Sequence, residues 1–204
     1  MFWLVLVTIA GVSVGHLAAL ASAVDNGNSA RIGLDYRAFV AAGKLLWTGR
    51  GTYIYLPDSI PFLELARVGF VYPPWAALFM VPWSALPFGL GLALWTISGL
   101  LVMVIGLRWC GIRDWRPVGY AMITFPAVFA LGLGQSTFWL VGVVAVSVGA
   151  MQRQSEHLSG ATLGIAAWKP HLLGGFVLLW LAHPRRYIRQ VVSFVVTSLF
   201  LLVV

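Results

Sequence analysis

Thiols and acids are the scarcest groups in this chain, which has one cysteine, Cys110, and 6 acidic residues among 204. A lone thiol excludes an internal disulfide and any cysteine-based metal cluster. The histidines His16, His157, His171 and His183 match none of the HxxxH or HExxH spacings of a zinc site, so no protein metal site is expected. No Walker or GxGxxG loop is present, and no cofactor is expected. Charge of either sign is sparse, at 9% of residues against 60% apolar. That balance excludes an ordinary soluble domain and makes lipid the solvent.

What charge there is sums to +7. The basic residues stand at the ends of apolar runs instead of along one soluble face, so membrane topology accounts for them and no nucleic-acid partner is expected. Residues 2–24 carry no formal charge and are long enough to cross a hydrocarbon core of roughly 30 Å at about 1.5 Å per residue. Ala21-Ser22-Ala23 imitates a signal-peptidase site, but without a basic leader the run is expected to stay as a helix. Either way the segment 25–74 is translocated. It holds 9 charged residues with Tyr36, Tyr53, Tyr55 and Tyr72, and is read as one large polar loop.

Pro82 and Pro87 interrupt the next apolar stretch, giving a short interfacial or re-entrant piece and then a span over 88–107. Further runs cover 118–133, 138–151, 158–168, 172–182 and 191–204. Alternate crossings then place Arg108, Arg113, Arg116, Arg153, Arg185, Arg186 and Arg189 in short cytoplasmic connections, as the positive-inside rule requires. Merging 158–182 into one helix would leave Lys169 in mid-bilayer, so two short helices meeting near Lys169 are expected. The last run, 14 residues, gives about 21 Å of helix and stops without a polar flank, so a C-terminally shortened chain is expected. The fold class is therefore all-α: a polytopic transmembrane helical bundle of about six or seven membrane segments. It forms one domain over 1–204, with an extracytoplasmic loop at 25–74 carrying an interfacial helix.

That loop offers the best chemistry. Tyr36, Phe39, Val40, Leu46 and Trp47 recur at helical spacing, which predicts a helix lying on the membrane surface. Asp35 opens it, either as an N-cap with Leu34 and Phe39 in staple positions or as a carboxylate able to accept a proton from a bound hydroxyl. Asp58 and Glu64 are rival bases, and Arg67 is spaced to pair with Glu64. Gly49-Arg50-Gly51-Thr52-Tyr53 reads as a turn, and Phe70-Val71-Tyr72-Pro73-Pro74 as an extended return. Tyr72 fits an interface-belt aromatic or a ligand contact. Gln135, between two short helices, fits a polar cap or a substrate hydrogen bond. Lys169 either snorkels or faces a cavity, where a phosphate would find a cation. Trp168 and His171 flank it without an assigned role.

The order of these features resembles glycosyltransferase family 87: a first apolar helix, Asp35-Tyr36, Gly49-x-Gly51-x-Tyr53, Phe70-x-Tyr72-Pro73-Pro74, Pro82-x-x-x-Leu86-Pro87, Gly134-Gln135, Gly160-x-x-x-Gly164 and Lys169-Pro170. The resemblance runs over nearly the whole chain. It implies a multi-spanning C-type glycosyltransferase, related to the phosphatidylinositol-mannoside mannosyltransferases, acting at the extracytoplasmic face of the plasma membrane. It further implies a polyprenyl-phosphate sugar donor, a lipid or glycan acceptor, membrane lipids as surroundings, and inversion at the anomeric carbon with Asp35 as general base. Lys169 is then the cation for the donor phosphate. Tyr72, Gln135 and Tyr36 join it as substrate-binding candidates on position alone. Two other classes stay open on the residues themselves. A transporter is disfavoured by the lack of Asp or Glu within the expected spans. An interaction subunit would make replacement of Asp35 a folding defect alone.

Overall fold

Proline and glycine set the element boundaries. The computed structural model describes residues 32–56 and 70–203, so the first span at 2–24, Asp58, Glu64 and Arg67 lie outside the described residues. Among those described, every regular element is helical. In chain order they are α1 (Leu34–Trp47), a 3-10 turn (Gly51–Tyr55), α2 (Pro74–Phe79), α3 (Val81–Ser84), α4 (Phe88–Trp109), α5 (Arg116–Met122) and α6 (Phe125–Leu133). Then come α7 (Thr137–Gln152), α8 (Glu156–Ala166), a second 3-10 turn (Pro170–Leu173), α9 (Gly174–Ala182) and α10 (Pro184–Val203). Proline occupies the first turn of α2, α3, α5, α6 and α10, where its missing N–H costs no helical hydrogen bond.

Two helices, the 22-residue α4 and the 20-residue α10, are long and apolar enough to cross a membrane. A third crossing results if α5 and α6, bent by 61°, form one broken span. The span expected at 88–107 is thus present in α4. The single span expected at 118–133 is instead broken, because Thr124 turns extended (ψ 153°) and Pro126 starts a new helix. The last helix also differs: it begins at Pro184, so Arg185, Arg186 and Arg189 lie in its first two turns and not in a connection. Those charges hide an apolar stripe, Ile188, Val192, Val195, Val196 and Leu199, all exposed. At about 1.5 Å per residue the helix reaches roughly 30 Å, not the 21 Å expected from the apolar run alone.

Small residues draw the helices together, as is usual where lipid provides no hydrophobic drive between them. Gly106 of α4 lies against Gly142 of α7, and a Cβ on Gly142 would stand 2.5 Å from the Val102 carbonyl carbon. Gly99 meets Trp139 further up, so α4 and α7 run in the same direction. Gly160 and Gly164 of α8 face Gln190 and Thr197 of α10, again in parallel. Between them α9 runs antiparallel to α10, fixed by Trp180 Nε1 donating to Gln190 Oε1 at 2.7 Å. The chain therefore reverses near Lys169-Pro170, as the sequence leads one to expect.

The helix expected on the membrane surface forms as α1, but protein covers most of its apolar face, leaving Trp47 at its end 77% exposed. Tyr36, Phe39 and Ala42 are buried there, against α2, α3 and the rings of α4. Around Phe39 lies an aromatic core in which Trp95 and Trp139 stand 5.3 Å apart, Phe79 and Trp139 5.3 Å, and Phe39 and Trp168 5.4 Å.

Candidate active site

Two glycine turns bring the polar residues together. Gly33, at φ 63° and ψ 30°, is the N-cap of α1, and its N–H donates to the Gly132 carbonyl at 2.8 Å. Asp35 is consequently the second residue of the helix and makes no capping bond, which corrects the N-cap reading. Its carboxylate still lies in the first turn, where the helix dipole favours negative charge. At the other turn, α6 ends on Gly134 at φ 65°. Gly134 N–H donates to Leu131 and Gln135 N–H to Ala130, at 3.1 and 2.9 Å, the Schellman pattern that reverses the chain.

A Cβ on Gly134 would stand 2.7 Å from Tyr36 Cβ and from Leu92 Cδ1, so only glycine lets the end of α6 dock on the start of α1. Trp95 Nε1 then donates to the Gly134 carbonyl at 3.0 Å. The residues that follow the two glycine turns, Asp35 and Gln135, meet. Gln135 Oε1 accepts from Thr137 Oγ1 at 3.0 Å, and Gln135 lies close enough to the Asp35 carboxylate to lower its proton affinity.

Lys169 arrives from the break between α8 and α9. Pro170 forces it out of helical geometry, to φ −121° and ψ 82°. Trp168 beside it is buried against Phe39, Trp75, Phe79 and Trp95. The Lys169 ammonium lies 5.9 Å from the centre of the Tyr72 ring, itself tilted against Phe39 at 4.7 Å. Tyr72 is further held by Tyr55, whose hydroxyl donates to its carbonyl at 3.1 Å.

These groups lie outside the helices long enough to cross, and their proton affinities are displaced. Burial raises the Asp35 pKa above 3.8, opposed by the Lys169 charge and then by the Gln135 hydrogen bond. Burial lowers the Lys169 pKa, opposed by Asp35. Tyr72 is raised by burial and then by the Asp35 charge. In both members of the Asp35–Lys169 pair, loss of water outweighs their mutual attraction. A carboxylate of raised pKa is a stronger base than an exposed one, and the cation beside it suits an anionic leaving group.

The structure thus brings Asp35, Gln135, Lys169 and Tyr72 to one place. Tyr36 is set apart: it is 1% exposed, with its hydroxyl enclosed against Gly91 and unpartnered among the described residues. Burial there pushes its pKa up to about 12. His171 is exposed. Sequence reasoning leaves two residues of the site without a part: Trp95, which it does not single out, and Trp168, which it names without a role. The signal for Trp168 is its place just before Lys169-Pro170; Trp95 has none, being one more apolar residue in a span.

Comparison with known families matches residues 70–204 of the 204 to glycosyltransferase family 87. No curated protein and no solved structure matches. The match includes Tyr72, Gln135 and Lys169 but not α1, so the resemblance expected over nearly the whole chain narrows to its later part. With most of its length matched and with apolar helices fit to cross a membrane, the chain belongs to glycosyltransferase family 87 and is a membrane glycosyltransferase.

Proposed function

We propose that this glycosyltransferase moves a hexosyl group, mannosyl in the first instance, from a polyprenyl-phosphate sugar to a hydroxyl of a lipid or glycan. The reaction takes place at the extracytoplasmic face of the plasma membrane. The observation that carries the reading is Asp35, a half-buried carboxylate with no capping duty, held by Gln135 and facing the charge of Lys169. Asp35 accepts the acceptor's hydroxyl proton as that oxygen attacks the anomeric carbon. The bond between that carbon and the phosphate oxygen breaks with inversion, and its electron pair leaves on polyprenyl phosphate. Lys169 and Tyr72 meet the phosphate, and Gln135 orients the base. Tyr36 holds the start of α1 in place and is assigned no substrate contact.

The test is transfer of radiolabelled mannose from polyprenyl-phosphate mannose in membranes carrying the native chain or Asp35→Asn at matched folded abundance. A general base contributes about 10²–10⁴-fold, so transfer is expected to fall at least about a hundredfold. Equal transfer in both removes Asp35 as the base. Transfer from a nucleotide sugar instead of the lipid-linked donor overturns the donor class.

A further inference from the structure

At the end of the bundle opposite Asp35, where α8 and α10 both begin, a cleft of about 570 Å³ opens between them. Glu156, His157, Arg186, Tyr187, Arg189 and Gln190 line it. We infer that this cleft binds the phosphodiester headgroup of an anionic membrane phospholipid, with Arg186 and Arg189 facing the phosphate and the acyl chains lying along α10.

The floor of the cleft is built, not incidental. Gln190 is fully buried, accepts from Trp180 Nε1 at 2.7 Å and donates through Nε2 to Ser159 Oγ at 2.6 Å. Ser159 in turn shares a hydrogen bond of 2.7 Å with Ser147. A polar network spanning α7, α8, α9 and α10 therefore fixes the spacing between the starts of α8 and α10. His157 Nδ1 adds a second tie, 2.8 Å from Ser193 Oγ. Above this floor Arg186 and Arg189 are exposed, with Arg185 beside them, and the opposing charge in the cleft is the carboxylate of Glu156. Cations outnumber anions, and the first turns of two parallel helices add partial positive charge.

Charge alone would fit any anion; the surroundings select a lipid. From Ile188 through Val192, Val195, Val196, Leu199 and Phe200 the face of α10 is apolar and exposed, and only 6% of its spanning window is buried. A basic cleft at the head of an apolar, lipid-facing stripe matches the two halves of one phospholipid molecule. Basic pockets between membrane helices bind anionic headgroups by this arrangement. The positive-inside rule explains which end the arginines occupy; it does not explain two of them converging on a fixed polar floor.

The experiment titrates the full chain, purified in an uncharged detergent, with phosphatidylglycerol and with phosphatidylcholine, counting bound lipid by native mass spectrometry. Phosphatidylglycerol is expected to bind saturably and in preference to phosphatidylcholine. The double variant Arg186→Gln/Arg189→Gln is expected to bind it roughly thirtyfold more weakly, the loss of two ordinary arginine contributions. Arg113→Gln/Arg116→Gln, in the connection after α4 and at the first residue of α5, is expected to keep native affinity. Should the first double variant fail to fold, Glu156→Gln replaces it, and is expected to tighten binding by removing the opposing carboxylate. Equal affinity in native and Arg186/Arg189 variants, an equal loss in the Arg113/Arg116 control, or no tightening in Glu156→Gln overturns the site. Soluble glycerophosphate competing as well as the lipid would make it a free-phosphate site and overturn the lipid assignment.

Discussion

Asp35 and Lys169 stand withdrawn from water beside the rings of Phe39, Tyr72 and Trp168 at one end of the bundle, whereas Arg185, Arg186 and Arg189 lie exposed along α10 at the other. The second end holds more charge, yet the first is where charge has chemical consequence. Water screens exposed arginines within about 10 Å at ordinary salt, so they attract anions without altering one another strongly. Among aromatic rings the same Coulomb energy is several times larger, and it acts on proton affinity. Burial, not the number of charges, separates the end where proton affinities are displaced from the end where charge is only exposed.

The most severe way to break this comparison is to remove charge at each end and measure sugar transfer. Asp35→Asn is expected to cost at least about a hundredfold, whereas Arg113→Gln, exposed at the far end, is expected to leave transfer near native. A comparable loss in both would mean that net charge, and not the buried carboxylate, governs activity. Next in size is Lys169→Met. A hydrogen bond to a charged group is worth about 1.5–3 kcal/mol, so transfer is expected to fall roughly tenfold to a hundredfold, with methionine filling the space of the lysine stem. Native activity in that variant would remove the cation from the donor-phosphate role.

Between the two ends, the helix contacts must hold their spacing for either end to work. Gly142→Ala sets a methyl group 2.5 Å from the Val102 carbonyl carbon and 2.7 Å from Met103 N. Backbone cannot retreat as a side chain can, so a loss of about 1–3 kcal/mol is expected, read as a lower melting temperature in detergent. Gly119→Ala on α5 meets open space and is expected to be neutral or stabilising by up to about 1 kcal/mol. If both variants melt alike, the α4–α7 crossing does not set stability.

Much of this was legible in the sequence, and the failures have physical causes. Long uncharged runs gave α4 and α7, and Lys169-Pro170 gave the chain reversal, because lipid penalises a mid-span lysine and proline removes a donor. The break between α5 and α6 was also written in the chain, at Pro126, but composition alone counted that run as continuous. In α10 the arginines concealed the helical period of the apolar residues between them. Asp35, Tyr72, Gln135 and Lys169 were each visible as candidates. Their convergence was not, since it depends on Gly33 and Gly134 adopting left-handed geometry against each other. Nor was the burial of Tyr36: a period of 3.6 finds the apolar face of a helix but does not say what covers it.

The smallest expected effect resolves most finely what holds Asp35. With Asp35 as the proposed base, transfer requires its carboxylate ionised, so activity is expected to fall as pH drops through its pKa, and burial places that acid limb above 3.8. Lys169 and Gln135 both pull the value down, Lys169 more strongly. Removing either therefore moves the limb to higher pH, by more in Lys169→Met than in Gln135→Leu. The pH profile of kcat/KM for the native chain and both variants tests this ordering. A limb that stays put in Gln135→Leu would show that its amide does not bond the ionised carboxylate. A limb that moves to lower pH in Lys169→Met would show that a group other than Asp35 titrates in the acid range, and would sever the link between the buried pair and the reaction.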